Sequence, residues 1–247
     1  LEAPWRTRYG AIGDHVLRIA ATLPDGRVIR AGCAVRKHVA GYALQRLFVG
    51  AGGRLGRIEA VDLRLVPAPP RRASLLVGAD DVDAAVALAL AVRDVTIGAS
   101  AVLVVEAPAL ASHPGLAAHV DGRPWAVVVT SEGAAADVDA DVVLARRAIG
   151  APRGRVRRID HAADDLGGVD VWAAAVADAA PIVRLGVPTH CLTAAITATT
   201  ASGFPCVVID VLGGQIFVRG HIDGALDAAK PTLGRIAAAY GGHVLAC

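Results

Sequence analysis

Four glycines fall within seven residues, Gly50, Gly52, Gly53 and Gly56, between an apolar run at Leu44, Leu47, Phe48 and Val49 and a second that resumes at Ile58. Glycines at that density let a backbone turn through positive φ, or lie against a flat ligand with its N–H groups exposed. The same residues also read as two tight turns between packed elements. Other chemistry-bearing groups are scattered. His190 and Cys191 adjoin a helix start, where a thiolate would be stabilised, or are simply packed helix residues. Asp160, His161, Asp164, Asp165 and Asp170 offer cation ligands but lack the spacing of a calcium loop, and read as a solvated acidic loop. His113 and His119 give no metal spacing. The four cysteines, Cys33, Cys191, Cys206 and Cys247, include no CxxC pair, so neither structural zinc nor an iron–sulfur cluster is indicated. They read as thiols of a reducing cytosol. No catalytic acid, base or nucleophile stands out.

Stepping along the chain gives the elements that must position these groups. Residues 16–22 and 27–33 are extended runs flanking Pro24-Asp25-Gly26, a hairpin signal. Residues 37–48 read as a short helix, and 57–66 alternate as a half-buried strand. Pro67-Ala68-Pro69-Pro70-Arg71-Arg72 is a linker signal, dividing the chain into residues 1–70 and 71–247. Beyond it, strands are predicted near 73–77, 101–106, 125–130, 155–159, 182–187, 206–211, 215–219 and 242–246. Helices are predicted at 81–94, capped by Asp80, at 134–149, closed by Gly150, around Trp172, from Pro188 to Ala201, and over 223–240 with an interruption at Pro231. Strand–helix–strand units with a flanking hairpin predict an α+β sandwich, helices on one face of a mainly antiparallel sheet. No internal repeat is visible.

At 247 residues the chain suits one large domain or two modest ones. Apolar residues make up 54% but aromatics only 4%, so the core is built from small aliphatic side chains. A formal charge of +2 on mixed signs leaves no nucleic-acid footprint. No apolar run is long enough to span a bilayer, which leaves at most peripheral membrane association, and no secretion signal is visible. A chain that begins at Leu1 and contains no methionine reads as part of a longer polypeptide.

The first seventy residues, RYGAIGDHVLRI…LPDGRVIRAGCAVRKHVAGYALQRLFVGAGGRLGRIEAVDLRLVPAPP, resemble the second half of the FAD-binding domain of the FAD-linked oxidase family. That family has the fold of vanillyl-alcohol oxidase and p-cresol methylhydroxylase. Its pattern is matched at Arg8, Tyr9, Gly10, Asp14, Val16, Leu17, Asp25, Gly26, Gly32, Lys37, Val39, Ala40, Gly41, Tyr42, Leu44, Leu47, Gly50, Gly53, Leu55, Gly56 and Ile58. The weaker second half, with Gly241-Gly242-His243, lacks the GDGN.H motif of the family's larger catalytic subunit.

The resemblance implies the second half of a PCMH-type FAD-binding domain in residues 1–70, the first half lying upstream, and an α+β cap domain in 71–247. It implies that Gly50, Gly53, Leu55, Gly56 and Ile58 lie along the dinucleotide, with Tyr42 supporting the loop; Tyr42 also reads as a core phenol. The implied function is the FAD-binding subunit of a cytoplasmic glycolate or 2-hydroxy-acid oxidase complex. It would pass electrons through flavin to an iron–sulfur partner. The sequence departs from the pattern at His38, Ala43, Ala51, Gly52, Arg54 and Arg57, which removes hydroxyls that would touch the cofactor. Those departures support a second reading, a non-catalytic subunit that stabilises a flavoprotein partner. A third is a small-ligand-binding α+β module with plain turns.

Overall fold

A computed structural model describes residues 4–35, 42–110, 120–150, 155–162, 168–177, 182–219 and 226–246. The chain divides into two compact units: Tyr9–Ala68, and the described residues up to Arg8 together with the chain from Pro69 onward.

A single helical turn α1 (Arg6–Tyr9) ends where the smaller unit begins; within that unit a second turn, α2 (Ile12–His15), leads into strands β1 (Val16–Thr22) and β2 (Val28–Gly32). The intervening turn closes as its residues require. The N–H of Gly26, at φ 84°, donates to the carbonyl of Leu23, and the Asp25 carboxylate accepts the N–H of Arg27. After the short helix α3 (Gln45–Phe48) comes β3 (Arg57–Leu63), giving an antiparallel sheet of order β2-β1-β3. Its core is Val16, Ile19, Ala21, Ala31 and Phe48. The expected half-burial of the third strand does not occur: Ile58, Val61 and Leu63 are 38%, 42% and 48% exposed. β3, like β2, is an edge strand beside the central β1, but its side chains take no part in the small core, which β1, β2 and Phe48 at the end of α3 form.

The larger unit contains β4 (Arg71–Ala79), α4 (Val82–Arg93), β5 (Ala99–Glu106), β6 (Trp125–Gly133), α5 (Ala135–Ile149) and β7 (Val156–Asp160), then α6 (Gly168–Ala177). There follow β8 (Ile182–Gly186), α7 (Leu192–Ala201), β9 (Cys206–Asp210), β10 (Gln215–Arg219), α8 (Leu226–Ala239) and β11 (His243–Ala246). The strands form one sheet of order β11-β8-β10-β9-β5-β6-β4-β7 in which every pairing is antiparallel. The strand–helix–strand pattern and the antiparallel pairing coexist because each unit is split: β4 and β5 flank β6, and β8 and β9 flank β10.

The sheet also contains a repeat that the sequence does not reveal. β4-α4-β5-β6-α5-β7 and β8-α7-β9-β10-α8-β11 share one topology, joined at β5 and β9. Buried residues of α4, α5, α7 and α8, among them Val86, Val142, Ile196 and Leu233, pack with Leu75, Val104, Val129 and Ile216 on one face. Contrary to the one-faced expectation, α6 covers the other face: Val171, Trp172 and Val176 cluster there with Leu103 and Val128, and Trp172 meets Phe217 edge-on at 5.7 Å.

Asp81, not Asp80, caps α4, its carboxylate accepting the N–H of Ala84 at 2.7 Å; Asp80 instead pairs with Arg123. Gly150 ends α5 at φ 63° as expected, and α8 continues through Pro231.

A buried polar knot lies on β4, β5 and β6. Arg72 Nε donates to Glu132 Oε1 at 3.1 Å, and the Ser100 hydroxyl donates to the same oxygen at 2.7 Å. Arg8 donates to the carbonyls of Gly98 and Glu132, tying the first described residues to this sheet. Arg72 is 8% and Glu132 1% exposed, so water cannot replace a lost charge. Glu132→Gln is expected to destabilise the larger unit by about 3 kcal/mol in urea unfolding; a loss below about 1 kcal/mol, the scale of an exposed pair, would contradict this placement.

Candidate functional site

The glycine stretch begins where α3 ends at Phe48, a side chain held in the smaller unit's core. From that anchor the backbone makes three successive tight turns. The N–H of Ala51 donates to Phe48 O, that of Arg54 to Ala51 O and that of Gly56 to Gly53 O, each at 3.2 Å. Gly50, Gly52 and Gly53 have φ of 80°, 59° and 78°, which residues with a Cβ adopt only at a cost. A Cβ at any of these three would find no atom within 4 Å, so the space above the turn is open. Gly56 differs. A Cβ there would stand 2.5 Å from the Thr22 carbonyl oxygen, so Gly56 is the point at which the turn presses on the β1–β2 hairpin.

This path leaves a concavity of about 460 Å³ lined by Leu47, Val49, Gly50, Ala51, Arg54 and Leu55, within the usual size range of small-molecule sites. Among the described residues, the N–H groups of Gly52, Gly53 and Leu55 donate to no protein acceptor. Unpaired N–H groups on a turn of small residues are what an anionic phosphate or the edge of a heterocycle can use. Arg54 adds a guanidinium at the rim, its Nε donating to the carbonyl of Ala51 at 3.1 Å.

Of the residues singled out from the sequence, Gly50 and Leu55 line the concavity, Gly53 sits in the same turn, and Gly56 lies at its base. Ile58 lies on β3. Tyr42 is 92% exposed and does not line the concavity, so the core-phenol reading fails. Lining residues not picked out as contacts are Leu47, Val49, Ala51 and Arg54. Leu47 looked like a core residue because it belongs to an apolar run, yet it is 60% exposed.

The other candidates do not assemble. Among the described residues no group of three or more His, Cys, Asp or Glu could hold a metal ion. Asp160 closes β7 and is bonded by Arg158 and Arg71; the Arg158 hydrogen bond holds its carboxyl below the usual range. His190 is exposed and Cys191 half-buried in the short turn before α7. Burial pushes the Cys206 thiol up to about 12, which leaves it unreactive. His113, His119, Asp164, Asp165, His38 and Cys247 lie outside the described residues.

No protein-family model matches the chain. It is 41% identical over 78 residues to glycolate oxidase subunit GlcD of Bacillus subtilis, a stretch covering 32% of this chain and 17% of that subunit. It is 40% identical over 75 residues to glycolate oxidase subunit GlcE of Escherichia coli, covering 30% of this chain and 21% of that subunit. It is 32% identical over 80 residues to D-lactate dehydrogenase of Anaerostipes hadrus, covering 32% of this chain and 17% of that enzyme. The aligned stretches therefore span about a fifth or less of these curated relatives.

Among solved structures, an alkyldihydroxyacetonephosphate synthase superposes with a TM-score of 0.58 at 15% identity, over 96% of this chain and 50% of that one. This chain has the FAD-linked oxidase fold. A 4-ethylphenol oxidase from Gulosibacter chungangensis agrees, with a TM-score of 0.57 at 14% identity over 88% of this chain and 52% of that one.

The two kinds of glycine respond differently to a methyl group. Gly56→Ala and Gly53→Ala both force a Cβ onto positive φ, but only the former drives it into a carbonyl. Gly53→Ala is expected to cost about 1 kcal/mol of unfolding free energy, and Gly56→Ala about 3 kcal/mol. Equal losses would contradict the assignment of Gly56 as the contact point.

Proposed function

We propose that the chain is the FAD-binding subunit of a glycolate- or 2-hydroxy-acid-oxidising complex, working in the cytoplasm beside an iron–sulfur partner that receives its electrons. The observation that carries this reading is the turn itself: among the described residues the N–H groups of Gly52, Gly53 and Leu55 have no protein acceptor, in the loop that lines a concavity in the FAD-linked oxidase fold. The names of the curated relatives supply the substrate class.

In this reading Gly50, Gly53 and Leu55 present backbone to the phosphate-bearing side of the dinucleotide, and Gly56 fixes the turn against the hairpin. Ile58 and Tyr42 do not line the concavity, and Arg54 supplies a positive charge at its rim. A flavin held here would supply hydride-accepting chemistry toward a hydroxy-acid substrate. The residues of this turn bind and orient the cofactor rather than move protons. Among the described residues no helix is long and apolar enough to cross a membrane.

A second reading, a subunit that stabilises a flavoprotein partner without binding flavin, is favoured by one feature. The Arg54 Nε is turned back onto Ala51 O, and Ala51 and Gly52 offer no hydroxyl to a cofactor.

The two are separated by Gly53→Asp in the full-length gene product, purified with its partner subunits. Aspartate tolerates positive φ, so the fold survives, while its charge repels a phosphate. The FAD dissociation constant is expected to rise tenfold or more, with a matching loss of the visible flavin spectrum after gel filtration. Unchanged FAD affinity in the variant, or a parent complex that retains no flavin on this subunit, would contradict the proposal.

A further inference from the structure

Asp210 ends β9 and is 2% exposed. Its register partners are Leu103 on β5 and Gln215 on β10, so its side chain shares the sheet face of Val208, Leu103 and Phe217, the apolar layer under α6. The Gly213 N–H donates to its Oδ1 at 3.2 Å, and the Leu212 N–H also bonds it.

Among the described residues no cation pairs with its carboxyl. On β8, Arg184 reaches Gln215 Oε1 at 3.5 Å. On β11 the His243 ring lies against Gly186. On β5 the titratable group is Glu106, acted on by Arg219, and on α6 it is Asp170. None of these contributes to the ionisation of Asp210, which burial raises to about 7 against the opposing pull of the two N–H donors. A carboxyl in a dry layer without a counter-charge holds its proton.

The turn that Asp210 anchors also holds a neighbouring segment. Val211 N–H donates to Val102 O at 2.9 Å, and Val187 N–H donates to Gly214 O at 2.8 Å. A Cβ on Gly214, at φ 62°, would stand 2.3 Å from Val187 O. Val187 leads through Pro188 and the Thr189–Cys191 turn into α7. A Cβ on Gly213 would lie 2.5 Å from Asp210 Oδ2, so the carboxyl is walled off by a residue with no side chain.

We propose that the Val211–Gly214 turn is a proton-controlled latch: protonated Asp210 keeps it closed against Val187, and loss of that proton loosens it and the entry to α7. The sign follows from linkage. In the opened turn Asp210 meets water and ionises in the ordinary carboxylate range, near 3.8, whereas in the closed turn it ionises at about 7. Closure is fully stabilised below the lower value, weakens as pH rises between the two, and changes no further above the upper one.

Amide hydrogen exchange on the full chain tests this, with each rate corrected for intrinsic exchange, from about pH 4.5 to 8.5. Exchange at Leu212, Gly213 and Val187 in the native protein should lose protection by up to about tenfold per pH unit to near pH 7 and then level off, as release of one proton requires. In Asp210→Asn the same amides should show no such slope, while amides of β4 and β6 stay protected throughout in both proteins. Three outcomes would overturn the latch: native protection independent of pH, a slope that survives in Asp210→Asn, or parallel loss across β4 and β6. The native titration decides the matter by itself if the variant does not fold.

Discussion

The Thr22 carbonyl pressed against Gly56 is the constraint on which the candidate site depends. Position 56 cannot carry a Cβ at 2.5 Å from that oxygen, so the chain leaves the glycine turn at a fixed point on the hairpin. At the other end Phe48 is buried in the same small core. With both ends pinned, the intervening residues must turn sharply, and positive φ at Gly50, Gly52 and Gly53 is how they do so. The free N–H groups follow from those turns: hydrogen bonds made within the loop use the N–H groups of Ala51, Arg54 and Gly56 and leave those of Gly52, Gly53 and Leu55 without a protein acceptor among the described residues. These donors belong to the backbone path, so the absence of side-chain hydroxyls at Ala51 and Arg54 does not remove them.

The larger unit solves a different problem. Its sheet is built from alanine, valine, leucine and isoleucine with few aromatics, and such side chains pack well only where strands and helices interdigitate closely. Splitting each strand–helix–strand unit around a third strand achieves that with short connections, and doing it twice yields the eight-stranded sheet. Several polar groups that enter this interior are hydrogen-bonded, as in the Arg72–Glu132–Ser100 knot, the Ser74–Thr130 pair, Asp141 under the Gly98 N–H and the Asp210 turn, whereas the Trp172 Nε1 has no partner among the described residues.

Much of this was legible in the sequence where the cause is local. Pro24-Asp25-Gly26 specifies its hairpin through dihedral preference alone, and Gly150 specifies the end of α5 in the same way. The glycine stretch announced an open turn for the same reason. What was not legible depends on distant packing. Alternation along residues 57–63 states that one side is apolar, but not that the fold would leave that side uncovered. Asp80 and Asp81 are both adequate caps by type; the extended backbone at Asp81 decides between them. The duplicated topology left no trace because core positions ask only for small aliphatic residues, which many unrelated sequences supply. The side of the sheet that α6 covers is likewise set by its connection and not by its composition. The core-phenol reading of Tyr42 rested on residue type alone, and the fold leaves that side chain in water.

The central claim, that the backbone of this turn receives the phosphate side of a dinucleotide, is tested most directly by amide chemical shifts in the full-length protein. ADP and riboflavin are the two probes, one carrying the phosphates and the other the ring alone. ADP should shift the amides of Gly52, Gly53 and Leu55 in a saturable way, and riboflavin should leave all three unmoved. Saturable ADP shifts elsewhere with these three amides unmoved, or no response to ADP at millimolar concentration, would contradict it.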